Sequence, residues 1–206
     1  MSRSLSWLKP AVFLGALMPL AALLLRAFER RLGANPIAEA LNRLGLLALI
    51  FLVLALAVTP LKTLLGWTWP ARLRRMLGLF AFFYASLHFL TYAGLDQLVN
   101  VRAILEDIAK RPFILVGFSA WLLLIPLAVT STKAMVQKLG FKRWKALHSS
   151  VYLIAALGAL HFYWRVKKDT REPLAYAVVI GILLLVRLVG TLKARGGRGA
   201  LATPSR

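Results

Sequence analysis

Residues 43–62 read RLGLLALIFLVLALAVTPLK: an arginine, eighteen residues without a charge, and a lysine. A stretch of about 20 apolar residues matches the hydrocarbon thickness of a bilayer when coiled as an α-helix. Five further blocks of the same kind flank it, and the helices predicted from them span residues 10–26, 43–62, 74–94, 112–131, 146–165 and 173–193. The fold class read from this pattern is an all-α integral membrane protein, a bundle of about six transmembrane helices.

Composition agrees with that reading. The chain has 206 residues, 60% of them hydrophobic, with a mean hydropathy of +0.72, where soluble domains are usually about 45–50% apolar. The six spans leave no room for a soluble domain. The domain reading is a short N-terminus over residues 1–9, one transmembrane domain over 10–193 and an irregular tail over 194–206. Pro10 to Leu25 follows Arg3 and Lys9 in the manner of a signal peptide, but no small-x-small cleavage site follows, so it is read as a retained first helix. Pro112 and Pro173 stand where a helix start accepts proline, whereas Pro19 and Pro126 fall inside helices and are expected to kink them. No internal repeat or heptad pattern stands out.

The net charge is +20, from 27 Lys and Arg against 7 Asp and Glu. In a soluble protein that would suggest nucleic acid. Here the basic residues lie mainly in loops, where they orient helices and meet anionic lipid, so nucleic acid is excluded as a partner. With both termini on one side, that side carries fifteen Lys and Arg and no acid. The other carries eleven Lys and Arg and all seven acids: Glu29, Glu39, Asp96, Glu106, Asp107, Asp169 and Glu172. The positive bias places both termini in the cytoplasm. There is no cysteine, which excludes disulfides, iron–sulfur clusters and thiolate-bound metal within this chain.

Three histidines, His88, His148 and His161, fall within predicted helices. An ionisable group at membrane depth is costly and points to function. At about 1.5 Å per residue, His88 lies roughly 21 Å from the inner end of its helix and His161 roughly 22 Å along its own. The two therefore sit at one depth, near the outer surface. Two imidazoles facing each other across a bundle suit six-coordinate haem iron. His148 lies near the inner end, and the residues at its depth on the third helix are Arg74 and Arg75. A guanidinium is a poor iron ligand and a good partner for haem propionates. The inner site is thus either His148 with an unusual second ligand or no haem site. On one continuous helix the thirteen residues between His148 and His161 amount to about 220° of rotation, so the two would share a face only with a π-bulge between them.

Other polar and aromatic positions take structural readings. Trp67, Trp69, Tyr84, Tyr92, Trp121, Trp144, Tyr152, Tyr163 and Trp164 read as an interfacial belt. Arg187, inside the last helix, reads as a snorkelling side chain. Thr130, Ser131 and Thr132 end the fourth helix and are expected to satisfy its free carbonyls. There is no Walker A loop, no GxSxG and no HExxH.

Three segments carry a family resemblance: RRMLGLFAFFYASLHFLTY (74–92), PLAVTSTKAM (126–135) and FKRWKALHSSVYLIAALGALHFYW (141–164). Together they resemble the MsrQ (YedZ) family, within the ferric-reductase-like transmembrane superfamily. These are haem-binding membrane subunits of the bacterial periplasmic system that reduces protein methionine sulfoxide. The resemblance covers residues 8–193. It implies a b-type haem on the histidines matching His88, His148 and His161, one haem expected and a second if His148 builds an inner site. It also implies electrons from the quinone pool or a separate flavoprotein, an association with FMN, and a periplasmic molybdopterin-bearing subunit that performs the catalysis. The location implied is the bacterial inner membrane. The chain lacks the second histidine of the wider superfamily on the third helix, and it lacks a fused flavin–nicotinamide domain, so an external donor is expected. Three rivals remain on the sequence alone: a transmembrane ferric reductase, a transporter or channel with a histidine proton relay, and a structural anchor.

Overall fold

The computed structural model describes residues 7–200, with side chains over 7–193. Among the described residues nine α-helices follow one another: α1 Leu8–Phe28, α2 Pro36–Leu65, α3 Arg74–Thr91, α4 Val101–Lys110, α5 Pro112–Val129, α6 Lys133–Leu139, α7 Phe141–His148, α8 Val151–Arg165 and α9 Arg171–Ala200. No strand occurs among the described residues. Among the described residues six segments are long and apolar enough to cross a membrane: Leu8–Phe28, Pro36–Leu65, Arg74–Asp96, Pro112–Val129, Phe141–Arg165 and Arg171–Lys193. The protein is an all-α membrane bundle.

Each boundary has a local cause. α2 starts seven residues before the expected position, because Asn35 accepts from the Ala38 N–H (3.0 Å) and Pro36 takes the first helical position. Its opening turns are masked in the sequence by polar residues that the fold satisfies: Glu39 pairs with Arg43 (2.8 Å) and Arg26 (3.7 Å) and accepts from the Gly33 N–H (2.7 Å). α2 ends at Gly66, whose φ of +69° is the left-handed conformation that closes a helix. α3 runs into a π turn over Tyr92–Asp96. The expected single helix over 146–165 is two helices. Ser149 and Ser150 turn their hydroxyls onto Ala146 O (2.6 Å) and Leu147 O (2.8 Å), competing with the helical ladder at the break. α9 carries on to Ala200, past the expected end at 193, since a helix once formed extends at one hydrogen bond per residue. The rest of the expected tail, 201–206, and residues 1–6 lie outside the described residues.

α2 packs most extensively on α3, and α5 on α8; contacts of α3 with α5 and of α2 with α8 join the two pairs. These four helices form the inner bundle. Small buried residues, Ala81, Ala120, Ala155 and Ala159, allow the helices to approach closely, which is how association proceeds where lipid is as apolar as the core. α9 lies against α8 and α2, and α1 against α2. Tyr84 on α3 is fully buried rather than interfacial; it donates to Ala16 O on α1 (2.5 Å) and stacks on Phe51 of α2 (5.4 Å between ring centres). Leu14, Met18, Val178 and Leu185 are exposed on the outer helices, as lipid-facing positions require.

Alternating helix directions divide the loops between two ends. The α1–α2, α3–α5 and α8–α9 connections and the helix ends beside them hold all seven acids; the opposite end, where α2 finishes and α3 starts, is purely basic. The terms acidic end and basic end are used below.

Candidate functional site

His88 stands in the last turn of α3 and His161 near the end of α8, and their ring centres are 6.1 Å apart with planes at 81°. The depth arithmetic from sequence puts these two at one level, and the fold brings them side by side, edge to face, near the acidic end.

Both rings are held the same way. His88 Nδ1 lies 2.9 Å from Leu41 O on α2, and His161 Nδ1 lies 2.6 Å from Phe113 O on α5. A carbonyl only accepts, so each Nδ1 carries the proton and donates it. The neutral ring then has its lone pair on Nε2. Four residues after each accepting carbonyl comes a glycine. A Cβ at Gly45 would lie 3.1 Å from His88 Nδ1, and one at Gly117 would lie 2.5 Å from His161 Nδ1. The absent side chains are what let each imidazole rest against its neighbouring helix. Leu41–Gly45–His88 on α2 and α3 is thus echoed by Phe113–Gly117–His161 on α5 and α8, with the carbonyl 47 residues before the histidine in one and 48 in the other. No repeat stands out in the sequence; this one becomes visible only through the hydrogen bonds.

The rings border a cavity of about 320 Å³ whose walls are mostly apolar, the size and character of a ligand pocket. Phe89 and Trp121 stack at 4.3 Å along one side, and Trp121 Nε1 donates to Ser86 Oγ (3.1 Å). Trp121 is therefore a wall of the cavity rather than part of an interfacial belt. Two cations, Arg111 and Arg165, also line it. Arg111 Nε pairs with Asp107 (3.2 Å), and Arg165 donates to Asn42 Oδ1. In the sequence both arginines count as loop charges. The signal that could have found them is proximity along the chain: Arg165 is one helical turn past His161, and Arg111 stands two residues before Phe113.

The donor set selects the group that fits. No cluster of three or more His, Cys, Asp or Glu that could hold a metal ion occurs among the described residues, so a bare ion finds too few ligands here. Two opposed imidazoles suit a metal whose remaining positions are filled by a macrocycle. An imidazole nitrogen sits about 2 Å from a bound metal and about 1 Å from its ring centre, so two rings on opposite sides of one iron have centres roughly 6 Å apart. The observed 6.1 Å fits that spacing.

The other candidates lie elsewhere. His148, at the end of α7, does not border the cavity. Its Nε2 is 3.0 Å from Thr130 Oγ1, and that hydroxyl gives its own proton to Pro126 O (2.6 Å), so the histidine is the donor. Trp144 stacks on His148 (4.2 Å) and donates to Thr130 O (3.0 Å). The pair fastens α7 to the end of α5. Thr130 and Ser131 satisfy carbonyls as expected, Ser131 on Leu127 O (2.7 Å), whereas Thr132 caps α6 through the Met135 N–H. Arg74 donates to Thr59 Oγ1 on α2 (2.9 Å) at the basic end, and Arg75 is exposed; neither lines the cavity. Arg187 bonds Tyr152 OH (2.8 Å) and Leu56 O (2.9 Å).

Comparison with known proteins shows the family. The family described as "Ferric reductase like transmembrane component" matches residues 44–159, more than half of the chain. A protein-methionine-sulfoxide reductase heme-binding subunit MsrQ of Herminiimonas arsenicoxydans is 49% identical over 98% of this chain and 93% of its own length. One from Rhodospirillum rubrum is 54% identical over 90% and 89%, and one from Deinococcus radiodurans 52% over 89% and 90%. No solved structure matches.

Proposed function

From the premise that this chain belongs to the MsrQ family of haem-binding subunits, within the ferric reductase-like transmembrane proteins, we propose that it is the electron-transfer subunit of a periplasmic methionine sulfoxide reductase. The observation that carries the reading is the adjacent pair His88 and His161, each with Nδ1 committed to a carbonyl and Nε2 left as a ligand.

Haem b bound between these rings supplies reversible one-electron chemistry. The chain's own residues do the rest. The Leu41 and Phe113 carbonyls fix the tautomer and orientation of each imidazole, and a hydrogen bond at Nδ1 makes Nε2 a stronger donor. Gly45 and Gly117 leave space for that orientation. The apolar walls exclude water. Arg111 and Arg165 offer guanidinium donors suited to propionate carboxylates at the acidic end. Reduction of oxidised methionine is left to the partner.

The positive bias of the basic end supports an inner-membrane location with both termini in the cytoplasm. The acidic end then faces the periplasm and a molybdopterin-bearing reductase. A quinol, or a separate flavoprotein, is the electron donor. The test is an absorption spectrum of the purified protein, oxidised and then reduced, followed by reoxidation. A low-spin b-type spectrum is expected, with faster reoxidation by the periplasmic reductase plus methionine sulfoxide than by chelated ferric iron. Faster reoxidation by ferric chelate identifies a ferric reductase instead. A colourless protein from cells well supplied with iron and porphyrin refutes the haem reading.

A further inference from the structure

At the basic end, away from the histidine cavity, two guanidinium groups hang on one face of α2. Pro60 has no N–H to offer the Leu56 carbonyl four residues behind it, and Arg187 of α9 takes that carbonyl instead, Nη2 to O at 2.9 Å. One turn on, Arg74 of α3 donates to Thr59 Oγ1 (2.9 Å). Residues three apart are neighbours on a helix surface, so these anchors bring the two cations together. Tyr152 of α8 closes the group: its hydroxyl accepts from Arg187 Nη1 (2.8 Å), and the guanidinium lies 5.2 Å from its ring centre.

The cluster is not neutralised from within. Every contact given to the two guanidiniums is to a carbonyl, a hydroxyl or an aromatic face. No ion pair among the described residues involves either arginine. None can come from nearby, because all seven acids belong to the opposite end. Arg187 Nε is in addition buried with no hydrogen-bond partner. An enclosed donor without an acceptor is costly, and Arg74 and Tyr152 stand exposed beside it, where a ligand can reach them. Two adjacent guanidiniums with free donors are the arrangement that receives a tetrahedral oxyanion. Arg187 stands six residues before Lys193, so roughly 9 Å from the basic end of the span, within reach of the headgroup layer for a side chain of this length.

We propose that Arg74 and Arg187, with Tyr152, form a binding site for a phosphate group, carried by an anionic phospholipid of that leaflet or by a soluble phosphate ester. The site is separate from the haem reading and stands or falls without it.

The test uses the full chain, purified in detergent and stripped of lipid, with binding read by native mass spectrometry and by thermal unfolding. Two matched pairs isolate the phosphate: phosphatidylglycerol against diacylglycerol of the same chains, and glycerol 3-phosphate against glycerol. Saturable binding of one phosphate-bearing member, absent for its counterpart, is the expected result, and the pair that responds identifies the source. Arg74→Gln and Arg187→Gln each remove a charge-assisted contact and should weaken that binding roughly ten- to hundredfold. Arg74→Gln leaves the Leu56 carbonyl bonded, so it serves even where Arg187→Gln disturbs α2. Equal behaviour within both pairs, or unchanged affinity in Arg74→Gln, overturns the proposal. The haem spectrum recorded on the same samples keeps this result distinct from any failure at the histidine cavity.

Discussion

Gly117 lies so close beside His161 that a Cβ on it would stand 2.5 Å from Nδ1, whereas the matching position on α2, Gly45, leaves 3.1 Å to His88 Nδ1. The first distance is inside any real contact, and the second needs only a few tenths of an ångström of give. Gly117→Ala must therefore push the imidazole off the Phe113 carbonyl, while Gly45→Ala is absorbed by a small shift of His88. The expected outcome is a conversion of Gly117→Ala to a high-spin or haem-poor protein, with overpacking costing about 1–3 kcal/mol. Gly45→Ala should keep a low-spin spectrum. Spectra of the two variants side by side check this; an unaltered Gly117→Ala spectrum contradicts the assignment of His161 as a ligand.

The ligand pair itself gives a sharper contrast. His88→Ala and His161→Ala each remove one of the two imidazoles proposed to hold the haem, from a cavity that has no third imidazole on its wall. Each should abolish the low-spin signal, and exogenous imidazole, entering the space left by the ring, should restore part of it. Retention of the full wild-type spectrum by either variant sinks the assignment.

Depth and rotation are not equally legible in the sequence. The spans can be read because long apolar runs are what a bilayer selects, and the rise per residue by itself puts His88 and His161 at one level. Rotation cannot be read. Converting the thirteen-residue spacing of His148 and His161 to an angle assumes one unbroken helix, and the hydroxyls of Ser149 and Ser150 break it. The opening turns of α2 escape notice because Glu39, Asn42 and Arg43 look like loop residues until their partners are known. α4 and α6 escape because neither is an apolar run of membrane length. Arg111 and Arg165 are hidden for a related reason: a charge near a helix end is explained equally well by topology, and only the folded cavity shows which charges it gathers.

His148 separates two roles by one substitution. Its Nε2 is engaged as a donor to Thr130, and its ring is covered by Trp144. As a fastening between α7 and α5, its loss should cost roughly 0.5–1.5 kcal/mol, the net value of a hydrogen bond. His148→Ala is accordingly expected to lower the unfolding midpoint while the haem-to-protein ratio stays as in the wild type. A fall of that ratio by half identifies His148 as the ligand of a second haem.

A comparable loss is expected when Tyr84→Phe removes the bond to Ala16 O that holds α1 against α3. The ring and its stack on Phe51 survive the change, so the cost is again that of one hydrogen bond, roughly 0.5–1.5 kcal/mol. Because α1 contributes no wall to the histidine cavity, the spectrum should not move. Proteolysis of the connection between α1 and α2 should quicken, and an unchanged cleavage rate would show that α1 is held by lipid rather than by Tyr84.

Arg165 tests the electrostatics of the cavity. A haem held in the cavity would supply one-electron chemistry, and Arg165, a fixed cation on the wall, would favour the reduced state with its extra negative charge. Replacing Arg165 by Gln preserves a side chain able to bond Asn42 but deletes the charge. The half-buried position limits the effect to roughly 1 kcal/mol, the upper part of the range for exposed charge pairs. For a one-electron couple, where a tenfold change in equilibrium is about 59 mV, this corresponds to a fall in midpoint potential of roughly 40 mV. The low-spin spectrum should remain, since His88 and His161 are untouched. Potentiometric titration of Arg165→Gln beside the wild type measures the shift; an equal or higher potential means the charge does not act on the iron, and Arg165 is then a positional partner of Asn42 alone.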